Sequence, residues 1–274
     1  MRTFMKRRQR GFTLVEAVVV IAITGIIASV VAVFIRAPIE GYFDAARRAE
    51  LTDVADTAVR RFSRDVHLAL PNSVRITSTP STIAIEFLLT SAGGRYRAEP
   101  GVPGDDILDF TQDDQSFELL GPAIAFQATS LDHQNQIVIY NLGILGADAY
   151  IGNNRRTYDG GAAPIIQITP INPFPFDSPS HTFQVVDTPV TYRCDLSAGV
   201  ATLTRYSGYA IVDTPQPDPP ASGGALLAQN VSACAFVYEP GITERSGLVS
   251  MRLSLTQSNE TVTLYHEAHV SNVP

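Results

Sequence analysis

Glu16 is the one ionisable residue between Arg10 and Arg36. It closes the stretch Gly11-Phe12-Thr13-Leu14-Val15-Glu16, at the head of an apolar run, where an ionised carboxylate is expensive to bury unless an opposite charge meets it. That placement asks for a partner charge. A second acid-rich stretch, Asp105, Asp106, Asp109, Asp113 and Asp114, offers oxygen ligands but lacks the ordered Asp/Asn/Gly spacing of a calcium loop. A solvated acidic loop is the preferred reading over a Ca²⁺ site. His266-Glu267-Ala268-His269 has i,i+3 spacing in a strand-like segment, which sends its two imidazoles to opposite faces. His67, His133 and His181 add no ligand pattern, and no Gly-x-Ser-x-Gly elbow or phosphate loop is present. Lys6, the only lysine, precedes the apolar run, which excludes a P-loop or Schiff-base lysine in the folded part. The chain reads as a protein that is not an enzyme and needs no cofactor.

The element that must position Glu16 is the apolar run itself. Leu14 to Ile35 spans 22 residues in which only Glu16, Thr24 and Ser29 are polar besides Gly25. As a helix it is about 33 Å long, enough for the roughly 30 Å hydrocarbon core of a bilayer. A secretory signal has a similar basic start, but its apolar region is about 7 to 15 residues and its small cleavage residue follows that region; here the run is longer and Gly11 precedes it. Arg2, Lys6, Arg7, Arg8 and Arg10 form a basic flank with no acid among them, which places the start of the chain in the cytoplasm and the rest outside it. Without those five, 15 basic residues face 27 acidic ones. A body of that charge does not suit nucleic acid, whose phosphates reward basic faces.

The basic leader followed by Gly11-Phe12-Thr13-Leu14-Val15-Glu16 resembles the processing site of type IV prepilins and type II secretion pseudopilins. The resemblance implies that a prepilin peptidase removes residues 1–11, that Phe12 becomes a methylated first residue, and that 12–35 remains as a single-pass inner-membrane anchor. It gives Glu16 its partner. Cleavage creates an amine at Phe12, and in staggered parallel helices one subunit's Glu16 meets another's amine, an attraction strong in low dielectric. Further stretches resemble minor pilins of the MSHA type: Ala46-Arg47-Arg48 through Arg64-Asp65-Val66, Ala69 to Arg75, Val190 to Cys194, Leu203 to Tyr209, and His269 to Pro274. The implied partners are other minor and major pilins and the inner-membrane assembly platform, with the head in the periplasm and then at a pilus tip. A J-type minor pseudopilin of type II secretion shares these features. A tip adhesin is the alternative of a different class, with Phe174 and Phe176 as its candidate contact residues.

At 274 residues and 45% hydrophobic composition the chain can fill a sizeable core. Pro38 predicts a kink or short break. Beyond it, Leu51, Val54, Ala55, Ala58, Phe62, Val66 and Ala69 keep a 3.6-residue period, so 36–70 reads as an amphipathic helix ended by Leu70-Pro71-Asn72. Asp56 and Arg60 make an i,i+4 pair on its outer side. Residues 71–274 read as a β-rich head with strands at 73–76, 82–89, 136–140, 181–186, 190–193, 201–206, 235–238, 248–255 and 261–270. The Pro-rich stretches 164–180 and 213–224 are expected to be long surface loops. The fold class is α+β: a long amino-terminal helix packed on an antiparallel sheet, as in type IV pilins. Cys194 and Cys234, the only cysteines, lie on the side where disulfides persist. They are expected to pair; free core thiols or a metal site are the alternatives.

Overall fold

The computed structural model describes residues 11–126, 134–197, 199, 201–219, 224–241 and 246–271. Residues 1–10 of the expected leader and His133 lie outside the described residues. The chain forms two compact units, Met1–Glu50 and Leu51–Pro274. Helix α1 (Leu14–His67) starts in the first and ends in the second.

Of the kink or short break expected at Pro38, the break does not occur: helical structure continues through the proline. Proline removes one amide donor, so the Phe34 carbonyl loses its i→i−4 partner at a cost of about 3 kcal/mol. Strong helix on both sides sustains that loss. In the second unit Leu51, Ala55, Ala58, Phe62 and Val66 are buried and Val54 half-buried, as their spacing requires. Asp56 accepts the Arg60 guanidinium at 2.6 Å on the solvent side.

The head consists of strands β1 (Arg75–Ser78), β2 (Thr82–Tyr96), β3 (Ser116–Leu120), β4 (Gln136–Val138), β5 (Arg155–Gly160), β6 (Ile165–Thr169), β7 (Thr182–Asp195), β8 (Thr202–Ser207), β9 (Gly224–Gln229), β10 (Val231–Glu239), β11 (Gly247–Gln257) and β12 (Glu260–Val270). All pair antiparallel, so the chain is α+β. β2 and β7 form the spine, in register from Thr82↔Asp195 to Arg95↔Thr182 with two irregularities. Their Thr82 end, flanked by β1, β8 and β9, shares one core with α1 and with the separate β10-β11-β12 sheet. Met251, Leu253 and Leu255 point into it. Ser254 of β11's other face is also enclosed, its hydroxyl paired with that of Thr263 at 2.8 Å.

At the other end the pairings β2–β3–β6–β5–β4–β7–β2 close into a ring. Closure removes sheet edges and encloses a second core of Tyr96, Phe117, Ile137, Ile166 and Phe183. Several expectations are corrected here. Residues 164–180 are not all loop: β6 fits between Pro164 and Pro170, whose missing amides fall just outside the ladder. The runs 181–186 and 190–193 are one strand through Pro189. That proline is tolerated because it lies between the stretches of β7 that pair with β4 and β8, where neither neighbour needs its amide. Gly224, expected to close a loop, opens β9.

Candidate functional site

The start of α1 is built by Thr13. Its carbonyl accepts the Ala17 amide at 3.1 Å and its Oγ1 accepts the Glu16 amide at 3.2 Å. Thr13 is therefore the N-cap and Glu16 the third helical residue, the spacing of a capping box. The Glu16 carboxylate also faces the positive end of the helix dipole. Glu16 thus has a local reason for its position that the sequence reading missed, although Thr13-x-x-Glu16 carries the signal. Gly11 and Phe12 precede the helix, and the Phe12 side chain is 76% exposed.

From Gly11 to Arg36 every residue is exposed. Ile21, Ile26, Val33 and Phe34 stand bare in a helix long and apolar enough to cross a membrane, the one such helix among the described residues. Its hydroxyls are satisfied within it: Thr24 donates to the Val20 carbonyl at 2.6 Å and Ser29 to that of Ile26 at 2.7 Å. A helix that satisfies every polar group internally is what a bilayer interior tolerates.

In the head, polar contacts tie the helix to the sheets. Asp65 of α1 accepts the Tyr192 hydroxyl at 2.8 Å and the Arg205 guanidinium at 2.5 Å. Burial, and then the Asp65 charge, push the Tyr192 hydroxyl above the usual tyrosine range. Cys194 of β7 and Cys234 of β10 are bonded, linking the spine to the three-stranded sheet within the shared core.

The acidic stretch folds onto itself. Asp105 accepts the Val102 and Gly101 amides at 3.0 and 2.8 Å, with Arg97 Nη1 3.3 Å away, and these hold its carboxyl below the usual range. The Thr111 hydroxyl and amide, with Gln112, do the same for Asp109. Asp106 accepts the Ser116 hydroxyl and Asp114 the Asp109 amide. Among the described residues no three His, Cys, Asp or Glu side chains gather into a group that could hold a metal. On β12, His266 is half-buried and His269 exposed. Phe174 is buried in the closed ring, where the Arg156 guanidinium lies 4.5 Å over its face and donates to the Asn172 and Pro173 carbonyls. Of the two aromatics considered for adhesion, Phe176 alone presents substantial surface.

The amino-terminal region is thus a glycine-aromatic junction leading into a capped, bare apolar helix. Residues 6–32 match the family described as Prokaryotic N-terminal methylation motif. No curated protein and no solved structure matches the chain.

Proposed function

We propose that the chain is a minor pilin-like subunit that takes part in assembling an MSHA-type type IV pilus, at initiation or in its tip complex. The observation that carries this reading is the methylation motif at residues 6–32, seated on an apolar helix exposed from Gly11 to Arg36. The resemblance of 46–66, 69–75, 190–194, 203–209 and 269–274 to the MSHA biogenesis protein MshO supports the finer assignment. A prepilin peptidase cuts between Gly11 and Phe12, and the new Phe12 amine is methylated. Residues 12–35 then hold the subunit in the inner membrane with its head in the periplasm, an oxidising compartment that suits the Cys194–Cys234 bond. As the assembly platform packs subunits together, Glu16 of one meets the amine of another, and the cost of leaving either charge unpaired in an apolar bundle sets the register. The head contacts other minor subunits. No group in the chain performs chemistry in this scheme; the peptidase does.

The test is the intact mass of the membrane-extracted protein with and without prepilin peptidase, beside a Glu16→Ala variant scored for assembly. Loss of residues 1–11 with gain of one methyl group, and impaired assembly of the variant, is the expected result. An uncut chain would reduce the protein to an ordinary anchored periplasmic protein. A gene neighbourhood of type II secretion rather than pilus components would move the assignment to a J-type pseudopilin.

A further inference from the structure

Beyond Ile35, still within the first unit, α1 changes character. Ile35, Ile39, Tyr42 and Phe43 recur at i, i+4, i+7 and i+8, which places them on one stripe, and all four are about half exposed or more. Arg36, Glu40, Asp44 and Arg47 occupy the neighbouring stripe, with the Arg47 guanidinium bonded to Asp44. The Tyr42 and Phe43 rings, 71% and 55% exposed, meet edge to face with centroids 5.9 Å apart.

We propose that this stripe is a lipid-interface anchor, in which Tyr42 and Phe43 sit at the headgroup level of the periplasmic leaflet while the subunit awaits assembly. The inference rests on the membrane reading of the preceding run. Three observations choose lipid as the occupant. The stripe continues the bare surface of the apolar run through Ile35 without interruption of the helix. The distance fits a tilted helix: Leu14 to Ile35 covers the roughly 30 Å hydrocarbon core, one headgroup layer adds roughly 5–8 Å, and Tyr42 and Phe43, about 10–12 Å beyond Ile35 along the axis, fall within that layer when the helix tilts by roughly 30°, inside the usual range. The residue types fit as well, because aromatic rings collect at that level, and Arg36, with its long stem, reaches from the end of the core toward water. Under this arrangement the charged stripe faces water and the apolar stripe faces lipid, as in helices that lie in the interface. The aromatic pair therefore fixes how deep the helix sits, and with it the depth of Glu16 at the opposite face.

The chain contains no tryptophan, so Tyr42→Trp and Phe43→Trp each introduce a sole indole, and Ile26→Trp, at an exposed position near the middle of the run, supplies a deep reference. The full chain is reconstituted into phosphatidylcholine–phosphatidylglycerol vesicles whose acyl chains carry bromine near the headgroup or near the terminal methyl. The expected result for positions 42 and 43 is emission shifted to the blue of aqueous indole and lost more to the shallow bromines than to the deep ones, with the opposite preference at position 26. Water-like, unquenched emission at 42 and 43 with deep quenching at 26 would overturn the inference and leave the membrane reading standing. Blue-shifted emission that neither bromine quenches would also overturn it, marking the stripe as a helix–helix face, and deeper quenching at 42 and 43 than at 26 would overturn the depth assignment. An unquenched indole at position 26 would remove the membrane reading itself, and the inference with it.

Discussion

Arg205 on β8 donates to Asp65 on α1 at 2.5 Å across 140 residues of chain, with both side chains about nine-tenths buried. Removing one partner of such a pair strands a charge in low dielectric, which costs about 3–5 kcal/mol. Asp65→Ala should therefore lower the denaturant midpoint of the full chain in detergent steeply. Asp56→Ala, which breaks the solvent-exposed pair with Arg60, should leave the midpoint close to that of the wild type. Equal effects of the two variants would show that the buried contact does not hold the helix to the sheet.

The Cys194–Cys234 bond closes a sequence separation of 40 residues. In the chain-entropy model that constraint on the unfolded state is worth about 4 kcal/mol. Replacing both cysteines by alanine is expected to lower stability by that order, and the reduced wild type should unfold with the double variant. Measuring the unfolding midpoint with and without reductant compares the two. A reductant effect that persists in the double variant would show that the bond is not its cause.

Asp105, Asp109 and Asp195 are each held ionised below the usual carboxylate range, Asp195 by the Ser197 hydroxyl and amide with Arg193 beside it. A carboxyl depressed by folding contributes stability above its unfolded value of about 3.9 and loses it as the pH falls through its lower folded value. The contribution of these three turns should thus be intact at neutral pH and fade only below about pH 4. Carboxyl titration by NMR should place all three midpoints below free aspartate. Because neighbouring amides and hydroxyls already occupy these oxygens, added Ca²⁺ or a chelator should leave the melting temperature unchanged.

The two strongest periodicities were legible in the sequence: the apolar run with its motif, and the buried stripe from Leu51 to Val66. The closed ring was not, and particular residues explain why. β5 reads as polar because Arg156 is in it, yet that residue is 1% exposed and its guanidinium donates to the carbonyls of Gly152, Asn153, Arg155, Asn172 and Pro173. The far half of β2 reads as a turn because of Gly93-Gly94. A Cβ on Gly94 would come within 2.7 Å of Leu119 and 2.9 Å of the Phe183 ring, so the glycine leaves room for the core of the ring. Asp65, four residues after Arg61, looks like half of a surface pair; its buried partners lie on strands far along the chain. Long-range registry of this kind leaves no local periodicity to read.

Thr13 gives the last prediction, because its hydroxyl holds the Glu16 amide and so the first turn of the helix through which docking is proposed. Losing an N-cap side chain costs about 1 kcal/mol, or roughly fivefold in the opening equilibrium of that turn. Hydrogen exchange at the Glu16 amide in micelles should speed up by about that factor in Thr13→Ala and stay near wild type in Thr13→Ser, which keeps the acceptor. If cleavage falls after Gly11, Thr13 survives it as the second residue, and the cap persists in the mature subunit. Exchange should then respond to Thr13→Ala in precursor and processed protein alike. A response confined to the precursor would mean that the new amine at Phe12 rearranges the turn and draws Glu16 out of its capping geometry.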